Sequence, residues 1–389
     1  HSFPTRRSSD LLVLTGTKTY DGTTTVAGSQ LTATGVNSES FTVTGSVTTG
    51  LATADVQSNS TLSSVTGLTV GTSNGTNPGL ASNYNVLGTT GSSFSVTPAT
   101  AVLTATKTYD GTTNLSGSQL AITGVTVGGV TQTLGYSAGT ASLLDANVAT
   151  TNNYVIGSGL VLSNGTGGTA GTATNYVLPT TYSYSSTNNR ATVNAKPIVV
   201  TLTSPGSTYT YDAVTTYASI ASGLTAYTTN TPMVGSETIA SLNYAVTSNG
   251  VAVSAGVAQA GNIIVTPSLN TLGGGGVASN YSFTFNALTV PVAKAVLTVG
   301  NATSVANKTY DGTTTAALSG GSLSGVLGSD SLTLVEAGTF ASVNAGTGIV
   351  VTAADTVTGT AANNYTITQP TGLTADITPK ALTVSGTSV

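Results

Sequence analysis

Apolar residues along this chain come in short bursts, some alternating with polar ones at the period-two spacing of half-buried strands. The clearest are Ile198–Leu202, Ile263–Val265, Tyr281–Phe285, Val296–Val299, Ile349–Val351 and Tyr365–Thr368. Gly, Asn, Ser or Pro bound these bursts, and those residues favour turns. The pattern predicts many short strands joined by tight loops.

The strands recur in a fixed order. Each copy opens on an extended run: Leu12-Val13-Leu14, Val102-Leu103-Thr104, Ile198 to Leu202, Val296 to Val299. A longer phrase follows, Lys18-Thr19-Tyr20-Asp21-Gly22-Thr23-Thr24. It returns as Lys107-Thr108-Tyr109-Asp110-Gly111-Thr112-Thr113 and as Lys308-Thr309-Tyr310-Asp311-Gly312-Thr313-Thr314. A degenerate copy reads Tyr209-Thr210-Tyr211-Asp212-Ala213, with Tyr for Lys and Ala for Gly; because Ala resists the positive φ that Gly accepts, its turn is expected to differ in backbone shape from the other three. Asp-Gly is a strong turn signal, because Gly accepts positive φ without strain. A second landmark closes each copy: Asn83-Tyr84, Asn175-Tyr176, Asn280-Tyr281 and Asn364-Tyr365, each after a small-residue loop. The tyrosines 20, 109, 211 and 310 stand 89, 102 and 99 residues apart, a period of domain size.

The expected architecture is therefore all-β: an elongated tandem of four small antiparallel β-sandwich modules of immunoglobulin-like type. Their bounds are residues 12–100, 101–196, 197–294 (the degenerate copy) and 295–380. Residues 381–389 are expected to begin a further, truncated copy, since Ala381-Leu382-Thr383-Val384 resembles the opening of copy four. The alternative is a β-helix or solenoid, but its rungs call for a shorter period of roughly 20–30 residues.

Composition narrows the function classes. Charged residues are 6% of the chain, Cys and Trp are absent, and Gly numbers 47. Helix formers are scarce while β-branched Thr and Val abound, so long helices are not expected. Nine basic residues against 13 acidic ones leave no cluster to hold nucleic acid. No run reaches the roughly 18 apolar residues of a membrane-spanning helix. The segment His1 to Leu11 resembles the translated product of a sequencing-library adapter and breaks the local composition. It holds the only His and two of the three Arg, and it is expected to be disordered and foreign to the fold.

The phrase Lys-Thr-Tyr-Asp-Gly-Thr-Thr, the closing Ala362-Asn363-Asn364-Tyr365-Thr366-Ile367-Thr368, the mid-copy Val343-Asn344-Ala345-Gly346-Thr347 and the junction Thr374 to Val384 together resemble the YDG repeat. That resemblance points to the glycine-rich, mostly-β repeats of large bacterial exoproteins of the filamentous-haemagglutinin type. It implies surface display, a stalk or spacer role in adhesion or biofilm, an extracellular or outer-surface location, and host-cell, glycan or matrix surfaces as partners of a monomeric stalk. The alternative function is an array of carbohydrate-binding modules in a secreted polysaccharide-active protein.

Catalytic chemistry is thin. Without Cys, and with its one His in the adapter-like segment, the chain offers no His- or Cys-based nucleophile or zinc site, and no enzyme, cofactor or metal site is expected. Asp21, Asp110, Asp212 and Asp311 are read as turn residues; calcium at the junctions is the rival reading, but one Asp per copy is poor for a cation wanting six to eight oxygens. The repeated tyrosines are read as core anchors rather than a glycan-stacking set. Lys18, Lys107 and Lys308 are expected on exposed edge strands, with a Lys–Asn isopeptide bond as the sharper alternative. Tyr182, Tyr184, Tyr217 and Tyr227 do not recur and are candidates for a surface contact.

Overall fold

The fold is given by a computed structural model that describes residues 11–84, 87–206, 208–253, 255–300 and 303–386. The adapter-like segment lies outside the described residues, save for an exposed Leu11. Strand dominates, as the alternation predicts. The only α-helix among the described residues is Tyr217–Ser222, which the sequence pattern did not predict. Thr216 caps it, accepting the Ser219 N–H at 3.1 Å.

The chain divides into two compact units. The first groups residues 1–196 with Ser279–Tyr281; the second holds 197–278 and 282–389. Most pairings among the described strands join strands of one sequence copy; the short parallel pair of Ala99–Thr100 with Tyr176–Val177 links copy one to copy two.

In the first unit, copy one forms a seven-stranded sheet in which Val13–Thr19 lies between Leu31–Thr34 and Ser93–Thr97. Alternation sets its faces: Leu14 is fully buried while Val13 is exposed. Leu14, Ala33, Phe41, Phe94 and Val96 fill the core. Copy two builds a five-stranded sheet ordered Val155–Asn164, Val130–Leu143, Leu120–Val127, Val102–Thr108, Asn189–Asn194.

In the second unit, copy three pairs Lys196–Leu202 with Tyr227–Thr229 and places Tyr209–Thr210, Leu288–Ala293, Gly261–Gly273 and Thr238–Ser248 side by side. Copy four carries Lys308–Thr309, Thr374–Thr378, Gly346–Ala353, Gly338–Phe340 and Thr315–Ala316. One apolar cluster runs through both copies, from Leu202, Ile220 and Ile263 to Leu297, Ala361 and Tyr365. The cores of neighbouring copies are therefore continuous here, unlike those of discrete beads.

The sheets are not purely antiparallel, as the sandwich expectation had it. In each copy the segment ahead of Tyr-Asp pairs in parallel with the closing strand. Lys18 lies opposite Val96, Lys107 opposite Val193, Tyr209 opposite Val292 and Lys308 opposite Ile377. First and last strands that run the same way send the chain out of a copy at the end opposite its entry. Among the described residues no stack of solenoid rungs is formed: the parallel pairs mainly join the opening and closing segments of a copy, and most of the remaining pairings are antiparallel.

Candidate functional site

The first repeated site is the Lys-Thr-Tyr-Asp-Gly turn. Lys18 sits at the end of an opening strand with its amine turned under the loop. Nζ donates to Asp21 Oδ1 at 2.9 Å, Thr23 O at 2.7 Å and Thr25 O at 2.8 Å. Asp21 Oδ1 also accepts the Thr23 N–H and hydroxyl, each at 2.9 Å. Lys107 repeats this with Asp110 at 2.8 Å, Thr112 O at 2.9 Å and Asn114 O at 2.8 Å. Lys308 does so with Asp311, Thr313 O and Thr315 O. Gly22, Gly111 and Gly312 follow at φ +75°, +76° and +78°, where an L side chain is strained.

These lysines are not exposed edge residues. Lys18 and Lys107 are buried, and the side chain of Lys308 is 18% exposed. A buried ammonium is tolerated only when its hydrogens are matched, and one carboxylate and two carbonyls match them. No asparagine amide is among the amine's partners, so the geometry gives the isopeptide alternative no bond to form. The carboxylates are likewise committed. Burial alone would raise the Asp21 and Asp110 carboxyls, but the hydrogen bonds from Lys and Thr outweigh it and hold both below the usual value. At Asp311 the Lys308 hydrogen bond is the largest influence, and the carboxyl is lowered to about 2. Among the described residues no group of three or more His, Cys, Asp or Glu is placed to hold a metal ion.

Copy three lacks the lysine. Its turn was expected to differ in backbone shape, because Ala resists positive φ. The structure instead keeps Ala213 in the left-handed region at φ +60°. Asp212 enforces it by accepting the Val214 N–H at 2.9 Å and the Thr215 N–H at 2.7 Å. The Tyr209 ring packs on the apolar cluster in place of the ammonium.

The second site is a clasp built from the other landmark. Each Asn-Tyr closes a single turn of 3-10 helix: Ala81–Asn83, Ala173–Asn175, Ala278–Asn280 and Ala362–Asn364. The Asn side chain reaches a loop of the preceding copy. Asn175 Oδ1 accepts the Val56 N–H at 2.9 Å, and its Nδ2 donates to Asp55 Oδ1 at 2.7 Å. Within the first unit, Asn280 does the same with Val148 N–H and Asn147 Oδ1. Within the second, Asn364 takes Ala260 N–H and Gln259 Oε1. All three asparagines are 2% exposed or less.

The tyrosines close the same junctions. The Tyr-Asp-Gly tyrosine begins where the closing strand ends: Tyr20, Tyr109, Tyr211 and Tyr310 donate their N–H to Thr97, Asn194, Ala293 and Thr378. Its ring then meets the Asn-Tyr ring of the next copy edge to face. Tyr20 and Tyr176 lie 5.3 Å apart, Tyr109 and Tyr281 5.5 Å, Tyr211 and Tyr365 5.5 Å. Gln132 hydrogen-bonds both Tyr20 and Tyr176, and Asp330 accepts from both Tyr211 and Tyr365, at 2.7 Å each. Burial, then the Asp330 carboxylate, pushes the Tyr211 phenol up to about 12. The Tyr176 hydroxyl also accepts the Val125 N–H, and a Cβ at Gly124 would sit 2.2 Å from that oxygen, so Gly is required there.

The ends of the set differ. Asn83 is exposed, and Tyr84 turns to Phe41, Val36 N–H and Glu39 of its own copy. Tyr310 is 40% exposed, against 5–6% for Tyr20, Tyr109 and Tyr211. The clasp's acceptors Asp55, Asn147 and Gln259 escaped the sequence reading. They share only a side-chain oxygen one residue before Val or Ala, too weak a signal to find without the register.

A groove of about 840 Å³ opens in copy three between the helix and Thr238–Ser248. Tyr217, Tyr227 and Tyr244 line it, but their hydroxyls bond the Gln259 N–H and the carbonyls of Ile239 and Leu224. Tyr184 is exposed, and burial raises the Tyr182 phenol. No helix among the described residues is long and apolar enough to cross a membrane.

Residues 293–372, most of copy four, match the family model described as the YDG domain. That model describes a YDG domain as such and is not specific to filamentous-haemagglutinin repeats, so the expected membership of that exoprotein family is corrected to a YDG domain at these residues. The physical reason is that the shared residues build a turn lock and a junction clasp. These are requirements of the module, and they carry no information about the protein that hosts it. No curated protein and no solved structure matches the chain.

Proposed function

We propose that this chain is a non-enzymatic spacer. It comprises four small β-sandwich modules at residues 12–100, 101–196, 197–294 and 295–380, in a secreted or surface-displayed bacterial protein engaged in adhesion or biofilm. The observation that carries the reading is the clasp. The recurrent side chains of the sequence, Tyr20, Tyr109, Tyr211, Asn175, Asn280 and Asn364, are spent on joining one copy to the next. A residue set that repeats in order to fix neighbours to one another serves extension and stiffness. Sites of chemistry converge on a pocket instead, and the groove beside the copy-three helix has its tyrosine hydroxyls turned to backbone.

Solution scattering together with a glycan array tests this. A globule of 389 residues has a radius of gyration near 21 Å. A spacer of nearest-neighbour modules gives a value well above that and binds no glycan class saturably. A radius near the globular value refutes the array. Saturable glycan binding lost on Tyr227→Ala moves the assignment to a carbohydrate-binding module array.

A further inference from the structure

Copy three departs from the other copies in two places at once. It replaces the motif lysine with Tyr209, and it holds the only α-helix among the described residues, Tyr217–Ser222. The helix leaves a gap. It turns the small side chains of Ala218, Ala221 and Ser222 toward the strand Thr238–Ser248, and small side chains cannot fill that space to the density of a protein interior. The groove of about 840 Å³ is the unfilled space. Copies precede and follow copy three in the chain, so the opening lies away from both ends of the sequence.

The lining defines what fits. Leu242, Tyr244, Val246 and Val253 form the floor, each half-buried and packed on the main apolar cluster below. Among the described residues that line the groove there is no Asp, Glu, Lys, Arg or His. The three phenols are already paired. Tyr217 accepts the Gln259 N–H at 3.2 Å, Tyr227 donates to Ile239 O at 3.0 Å, and Tyr244 donates to Leu224 O at 2.9 Å. They offer ring carbon to a ligand rather than hydroxyl. A sugar calls for polar groups aimed at it, and a charged ligand would go unpaired here. The lining follows the strand from Ile239 to Val246, roughly 20 Å of extended chain. A volume of this size drawn out over that length is a slot, suited to one flexible hydrocarbon tail rather than to a compact ring system.

We propose that this groove binds one long unbranched acyl or alkyl chain, detached from any bilayer, with its polar head left at the rim beside the exposed Thr225 and Asn243. The proposal goes beyond the spacer reading and does not rest on it. Affinity comes from methylene burial, so each methylene seated strengthens binding by up to about fourfold.

Calorimetric titration of the whole chain with octyl, decyl and dodecyl maltoside, each below its micellar concentration, tests this. Saturable binding of one molecule per chain is expected, tightening by about tenfold for each two methylenes added, while maltose alone is expected not to bind. Ala218→Phe and Ser222→Phe fill the slot from exposed positions, and each is expected to weaken dodecyl maltoside at least tenfold; circular dichroism confirms that both fold. Val161→Ser, at an exposed apolar site in copy two, is expected to change nothing. Absence of saturable binding overturns the proposal. So does an affinity indifferent to chain length, or one that survives both helix variants or falls equally with Val161→Ser. Maltose binding as tightly as the dodecyl compound overturns it in favour of a glycan site. Flotation on phosphatidylcholine vesicles that Ala218→Phe abolishes overturns it in favour of a bilayer surface. None of these outcomes moves the scattering radius on which the spacer reading stands.

Discussion

Replacing Lys107 separates the parts of the turn lock. Its side chain is 1% exposed and its amine holds Asp110, Thr112 O and Asn114 O. Lys107→Met keeps most of the stem and removes the charge. Asp110 is half exposed and rehydrates at little cost. The Thr112 and Asn114 carbonyls lose their donor beneath a buried stem, at about 1–3 kcal/mol for a poorly solvated acceptor. Relief of ammonium desolvation offsets part of this, so a net loss of about 1–3 kcal/mol is expected. Lys107→Ala also gives up roughly three buried methylenes at about 0.8 kcal/mol each, for a total near 3–5 kcal/mol. Lys308→Ala should cost less, because that side chain is 18% exposed and water reaches its carbonyls. A multi-copy chain does not unfold in two states, so the assay is native-state hydrogen exchange at the Thr112 and Leu115 amides, read as local opening free energy. A Lys107→Met variant within 0.5 kcal/mol of wild type refutes the lock, as does a Lys308→Ala loss equal to that of Lys107→Ala.

Two further outcomes follow from the same geometry. Ala213→Gly, at φ +60°, is expected to stabilise copy three by about 1 kcal/mol, against the usual sign of an Ala→Gly change; slower exchange of the Val214 and Thr215 amides checks it, and faster exchange sinks it. The Tyr211 phenol, raised to about 12, lends stability that is full below the ordinary tyrosine value near 10 and is lost as pH rises through about 12; ultraviolet titration should show a phenol ionising late, and Asp330→Asn should bring it down.

The all-β class was legible in the sequence, because it rests on local signals. Alternation such as Val13 out and Leu14 in specifies strands, and Asp-Gly specifies a turn whatever surrounds it. It mislocated Lys18 and Lys107, because charge argues for the surface and only the folded loop shows two carbonyls aimed at the amine. The shape of the copy-three turn was misjudged for a similar reason. Ala disfavours positive φ by roughly 1 kcal/mol, and two hydrogen bonds accepted by Asp212 are enough to reverse that preference. The tyrosines were correctly seen as recurrent, but their partners were illegible: Tyr20 and Tyr176 lie 156 residues apart and meet only through the register of two copies.

The clasp sets the size of the cooperative unit. Removing one clasp asparagine strands a backbone N–H and a side-chain acceptor oxygen at the junction, at about 1–3 kcal/mol each. The edge-to-face pair beside it adds about 0.5–1.5 kcal/mol. Coupling across one junction is then about 2.5–7.5 kcal/mol. A copy of this length has a total stability of only about 5–13 kcal/mol by the usual per-residue range. Coupling of that size is a large fraction of what holds a single copy together, so a copy and its clasped neighbour open as one. The continuous cluster from Leu202 through Leu297 to Tyr365 is the packing counterpart of that coupling. The repeat of the sequence is thus shorter than the repeat of its stability: the motif marks one module, and the side chains in the motif make that module depend on the next.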